Sequence, residues 1–290
     1  MEIINESQVE PRRLQALIRL ISYLEAPKRQ ELFDLLQPTA LMERFQSKEP
    51  QLAARITNRI AVDYGLAKEN DEKVLRLQAA SAQVETMSAF QAYMQKSILE
   101  ETLENQPNYR FNLFSAWYAV QDERVFHDLP TRGYDVAFCE EVFPGVEDRP
   151  FNSTKFSAWR KWANFLGLGW LTRIGSKEIL VPDATKRLKN VLPSLFQEES
   201  KLPFGLFMEH LASICPELDG GVLFNKCWQA SRGADQHGNN VSLMVSTGLR
   251  TLQGMDIIKL IDQVDAIDIW YLYPAQGHQR QVTHIQRIGA

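Results

Sequence analysis

Little in this sequence supports covalent or metal chemistry. Its 290 residues include only three cysteines, Cys139, Cys215 and Cys227, too few and too scattered for a disulfide framework. They read as small core residues of a chain kept in a reducing compartment. No apolar run approaches the ~18 residues that would cross a bilayer. The opening MEIINESQVEPRR lacks the apolar stretch of a secretory signal. A cytoplasmic location without membrane contact is expected. Phosphate loops of the Walker and dinucleotide kinds are absent, and Phe204-Gly205-Leu206 and Gly167-Leu168-Gly169 carry isolated turn glycines. His278 and His284 have the separation of a zinc pair, but no Cys-x-x-Cys accompanies them. Glu140-Glu141 lack the following lysine of a metal-assisted nuclease. Cys139, near His127 and Glu140 in sequence, has no third member of a nucleophilic triad. An acidic surface and a buried thiol are the plainer readings. We therefore expect no enzyme, no cofactor and no bound metal.

What is present is an ordinary globular composition, 44% hydrophobic and 23% charged, with length for two or three domains. The net charge of −4 argues against a protein that coats nucleic acid indiscriminately, so charge has to be read by region. Residues 127–150 carry a net −4. Residues 151–190 hold eight basic and two acidic side chains, a net +6. Residues 202–290 carry a net −2. The middle stretch is the one suited to phosphate.

A pattern also recurs. An amphipathic helix bearing Arg, Lys or Asn meets a Gly-Leu break, then two short apolar runs joined by a charged turn. It is clear over residues 51–78 and 155–183 and looser over 240–274. Upstream, Leu14, Leu17, Ile18, Ile21 and Leu24 recur at helical spacing. Between the first two copies, Val84, Met87, Phe90, Met94, Ile98 and Leu103 mark a helical connector, suited either to packing on its own domain or to meeting a partner. QEESK, residues 197–201, reads as a polar linker. In the third copy Ile257–Ile261 and Ile267–Tyr273 are expected to pair as an apolar hairpin.

Helix, tight turn and two-stranded hairpin in this order resemble the winged helix-turn-helix superfamily repeated in tandem. The resemblance implies an α-rich α+β protein of tandem winged-helix units, each a helical trihelix with a short β-hairpin wing. The units would occupy 10–78, 108–196 with an insertion at 125–150, and 202–290, with a connecting helix at 79–106. Such tandem units are similar to plasmid replication initiators, which are more basic than this chain, and to the dimeric subunits that embrace SMC-type complexes. They also resemble accessory proteins of bacterial phage-defence or DNA-modification clusters, in particular the small noncatalytic component of clusters that insert 7-deazaguanine into DNA.

On that reading the partner is duplex DNA. Arg55, Asn58 and Arg59 in the first copy, and Lys155, Arg160, Lys161 and Asn164 in the second, would face the groove. Arg would read guanine, Asn adenine, and Lys would meet phosphate. Lys68, Lys73, Arg173 and Lys177 on the wings, and Lys186 and Arg187 on the following helix, would meet flanking backbone. The competing reading is that these charges solvate outer helix faces of an assembly subunit that never touches DNA. The third copy, with Arg250 alone on its helix and Trp270, Tyr271 and Tyr273 on its wing, suits a protein partner. A homodimer is compatible with either.

Overall fold

Three times along the chain a helix ends in a backbone hydrogen bond reaching back five residues, and the chain passes at once into a strand. The bonds run from Leu66 N to Ala61 O and Leu168 N to Ala163 O, both 2.9 Å, and from Ile257 N to Leu252 O, 3.0 Å. The residue before each donor has left-handed backbone: Gly65 (φ 66°), Gly167 (φ 82°) and Asp256 (φ 55°). Glycine adopts this conformation without a Cβ penalty. The third copy uses aspartate there. The computed structural model describes residues 2–5, 9–44, 49, 51–175, 177–233, 238–278 and 280–288. The chain is an α-rich α+β protein with small antiparallel sheets.

The first copy begins with α1 (Pro11–Leu24), α2 (Arg29–Leu36) and α3 (Thr39–Arg44). Proline opens α1, where its missing N–H is no loss. Leu14, Leu17, Ile18 and Ile21 form its inner stripe. Next comes α4 (Leu52–Asp63), which buries Ile56 and Ile60, and the hairpin β1 (Ala67–Glu69) and β2 (Leu75–Leu77), with Lys68 opposite Arg76. An isolated bridge from Lys28 to Val74 adds a third extended segment to the hairpin. The expected connector is two helices, α5 (Ser81–Val84) and α6 (Met87–Leu99). Thr86 separates them by accepting from Ala89 N at 3.1 Å, the N-cap role of its hydroxyl. Phe90, Met94 and Ile98 are buried as expected, whereas Met87 is exposed and Leu103, beyond the helix, is exposed too. The packed face meets this chain's own second copy: Gln95 Nε2 donates to Leu166 O at 2.6 Å.

The second copy holds α7 (Tyr109–Val120), a 3-10 turn at Asp122–Val125, α8 (Leu129–Arg132), α9 (Tyr134–Val142) and α10 (Ser153–Leu166). The hairpin β3 (Gly169–Ile174) and β4 (Lys177–Pro182) follows. Every α7 residue except Arg110 is buried, as a helix apolar all round must be. Phe114 sits at the centre, stacked on Phe151 at 4.2 Å and edge-on to Trp159 and Phe138. Such ring pairs add ~1 kcal/mol each beyond their burial. The Trp159 indole donates to Ser115 Oγ at 2.9 Å, so the core carries no stranded N–H there.

The remaining elements are α11 (Thr185–Phe196), β5 (Lys201–Pro203), α12 (Phe204–Ile214), α13 (Val222–Arg232), α14 (Leu243–Gly254), β6 (Ile258–Ile261), β7 (Trp270–Tyr271), β8 (Gln281–Val282) and β9 (His284–Arg287). α11 packs on α12 and α14, and α13 packs on α7. Two expectations are corrected here. The linker ends in a strand, β5, and the apolar hairpin does not form. Instead β6 pairs with β9, giving the sheet order β5-β9-β6, while β7 pairs with β8. The cause is a buried row across the three strands, Leu202–Ile285–Leu260, which Ile267, fully exposed on the turn between β6 and β7, could not supply.

Candidate nucleic-acid interface

Asn152 starts α10 by accepting from Lys155 N at 3.0 Å. Trp159, Trp162 and Leu166 face inward, which turns Lys155, Arg160, Lys161 and Asn164 to the other side, as the spacing predicts. That side is largely covered by the chain itself. Lys155 Nζ donates to Pro150 O at 2.9 Å and lies 3.5 Å from Glu2, which is buried. Burial pushes the Glu2 carboxyl up, against the pull of Lys155 and Arg110. Arg160 lies over the Phe156 ring at 5.0 Å and donates to Glu178 O at 2.6 Å. Lys161 is held by Glu10 at 2.5 Å, and that hydrogen bond keeps the Glu10 carboxyl below its usual range. Asn164 Oδ1 accepts from Leu171 N at 3.3 Å, within the following hairpin. The Trp162 indole donates to Val9 O at 3.1 Å. Glu2, Val9 and Glu10 therefore lie against α10, and the two carboxylates face Lys155 and Lys161.

Of the other residues expected to bind, Arg187 is a correction. It is 4% exposed, and its Nε donates to Glu217 at 2.8 Å. A guanidinium enclosed in this way cannot meet phosphate. Asn58 is corrected likewise: it is 6% exposed, and its Nδ2 donates to Glu69 Oε2 at 3.0 Å, so no paired contact to adenine remains. Arg173 and Lys186 are exposed. The Lys177 side chain lies outside the described residues. Lys161, Asn164 and Lys186 do converge, on a depression of ≈ 440 Å³ that Arg12 of α1 joins. Arg12 carries no local motif, and only the packing of α1 beside α10 brings it there.

The first copy presents its cations differently. Arg55 and Arg59 stand one turn apart on the exposed face of α4, as an i, i+4 spacing requires. Arg55 lies 3.8 Å from an exposed glutamate, Glu49, a contact worth little in water. Lys68 and Arg76, opposite one another on the hairpin, are both exposed, as is Lys73. Arg29 closes the inner edge of this face, 2.9 Å from Glu69. With Arg55, Asn58 and Arg59 it lines a shallow depression of ≈ 340 Å³.

Among the described residues no group of three His, Cys, Asp or Glu could hold a metal ion. The three cysteines are buried and form no disulfide with one another. Burial raises the Cys215 thiol to about 12, which removes it from nucleophilic use near neutral pH. No helix among the described residues is long and apolar enough to cross a membrane. A protein-family model described as DpdG-like matches residues 1–266. No curated protein and no solved structure matches the chain.

Proposed function

Because the chain belongs to the DpdG-like family, we propose that it is a noncatalytic component of a bacterial DNA-modification system, of the kind that inserts 7-deazaguanine, and that it contacts duplex DNA through α4 and the β1–β2 hairpin. The observation that carries this is a difference in exposure between two equivalent helices. On α10, Lys155, Arg160 and Lys161 are half-buried, against Glu2, Glu178 and Glu10. On α4 and its hairpin, Arg55, Arg59, Lys68 and Arg76 are exposed to solvent.

The order of elements supports a winged-helix reading of this unit. α1, the Lys28 segment, α2, α4 and the hairpin occur in the order of the helices and strands of such a unit, with the short α3 inserted between α2 and α4 and with α4 in the position of the groove-reading helix. A helix in the major groove places its outward arginines on base edges or phosphates, and a basic hairpin follows the adjacent backbone. The third copy, acidic and apolar at its surface, takes the role of docking a protein partner.

A salt titration on duplex DNA, with and without modified bases, tests the proposal. The chain should bind, with an affinity that falls as salt rises. Replacing Arg55, Arg59, Lys68 and Arg76 by alanine should weaken binding and reduce the salt slope by about one for each phosphate no longer neutralised. An unchanged slope in that variant would remove α4 from the interface. The competing reading, an assembly subunit that never meets DNA, expects no retardation of any duplex at moderate salt.

A further inference from the structure

The third copy carries a cavity of ≈ 490 Å³ between the start of α12 and the β6–β7 turn. Among the described residues three carboxylates line it, those of Glu209, Asp219 and Asp268, and no lysine or arginine does. Asp219 is committed inward, accepting from Ser242 N and Oγ, each at 2.6 Å. Asp268 is held in place at the rim. Its Oδ1 accepts from Asn239 Nδ2 at 3.0 Å and its Oδ2 from the Trp270 indole at 3.2 Å. A carboxylate offers about four lone-pair directions, so both oxygens retain acceptor capacity. Gly205 makes room for it: a Cβ there would stand 2.4 Å from Asp268 Oδ2. Trp270 forms part of the wall.

Residues close in sequence to the cavity lining are apolar and exposed. Ile267, next to Asp268, is fully exposed at 101%, and Val264 on the same turn is 84% exposed. Leu206, three residues before Glu209 and so on the same side of α12, is also exposed. Branched apolar side chains held in water beside a charged cavity mark a contact surface. The charge selects the partner. Phosphate is repelled, and a planar guanidinium matches a fixed carboxylate, a second, exposed carboxylate and an indole wall.

We infer that this cavity takes an arginine side chain of a partner protein, with apolar residues flanking that arginine resting on Leu206, Val264 and Ile267. The inference rests on the reading of the third copy as the protein-docking one, and it names the chemistry of that contact. Asp268 and Glu209 hold the guanidinium, and Trp270 shields it from water.

The test uses the full chain labelled with ¹⁵N-tryptophan, with the Trp270 indole signal assigned through Trp270→Phe. The probe is a short synthetic peptide with one arginine between two leucines, set against the same peptide with citrulline, which keeps the shape and loses the charge. The arginine peptide should shift the Trp270 signal saturably and the citrulline peptide at least tenfold more weakly. Asp268→Asn with Glu209→Gln should abolish the difference while the other indole signals stay in place. Equal response to both peptides, or none at Trp270, overturns the inference. A second readout keeps the two readings apart. If a protein encoded beside this chain copurifies with wild type and equally with the double variant, the docking reading survives and the arginine cavity does not. If wild type copurifies with no neighbour while Trp270 still answers to arginine alone, the cavity chemistry stands and the cluster partner falls.

Discussion

Arg187 on α11 and Glu217, in the loop between α12 and α13, form a buried ion pair with Nε–Oε1 at 2.8 Å and side-chain exposures of 5% and 0%. Two enclosed charges gain from each other about what they lose on leaving water, but either one alone is costly. Glu217→Ala should therefore destabilise the protein by ~3–5 kcal/mol, whereas Arg187→Met with Glu217→Leu should lose much less. Urea unfolding of both variants checks this, and equal losses would show that the pair is no unit.

The two helix-ending glycines should not respond alike. A Cβ at Gly65 would meet only the Tyr93 hydroxyl at 3.6 Å, so Gly65→Ala carries the left-handed backbone cost alone, ~1 kcal/mol. At Gly167 it would stand 2.7 Å from Lys186 Cβ and 2.9 Å from Arg187 N. Gly167→Ala must also push α11 away and should cost ~3 kcal/mol in the same denaturation assay.

Stability should depend on two carboxylates at the start of α14. Asp219 accepts from Ser242, and Asp122 accepts from Leu243 N at 2.8 Å. Burial raises both to about 6, despite those hydrogen bonds. A carboxyl raised in the folded state supports the fold below its unfolded pKa, and that support is lost as pH rises through the folded value. Wild type should lose ground between about pH 4 and 7, and Asp219→Asn should gain on it by ~1–3 kcal/mol across that window. Parallel stability profiles for the two proteins would contradict this.

Glu10→Gln separates the two basic helices. It removes the carboxylate on Lys161, and the pair is half exposed, so stability should change by less than ~1 kcal/mol. If DNA is met by α4, duplex affinity should stay within about twofold of wild type; a marked rise would bring α10 back to the interface.

Amphipathic spacing revealed the helices and the first two hairpins, because each buries its apolar residues locally. It failed in the third copy because the partner of β6 lies beyond residue 280, a pairing that no local pattern carries. Charge counting found the basic stretch 151–190 but not its state. Glu2 and Glu10 sit some 150 residues away from the lysines they meet, and Arg187 reads as a surface cation until Glu217 is seen beside it. Arg55 and Arg59 were legible because their exposure follows from helix geometry alone.

The middle strand of the β5-β9-β6 sheet is the last of the three in chain order. During synthesis Leu202 and Leu260 leave the ribosome with their backbone edges open, and they stay open until Ile285 follows. Newborn chains are thus most prone to pair with one another in the interval before β9 emerges. A nonsense mutation a few codons short of β9 would yield an aggregating product rather than a shortened working one.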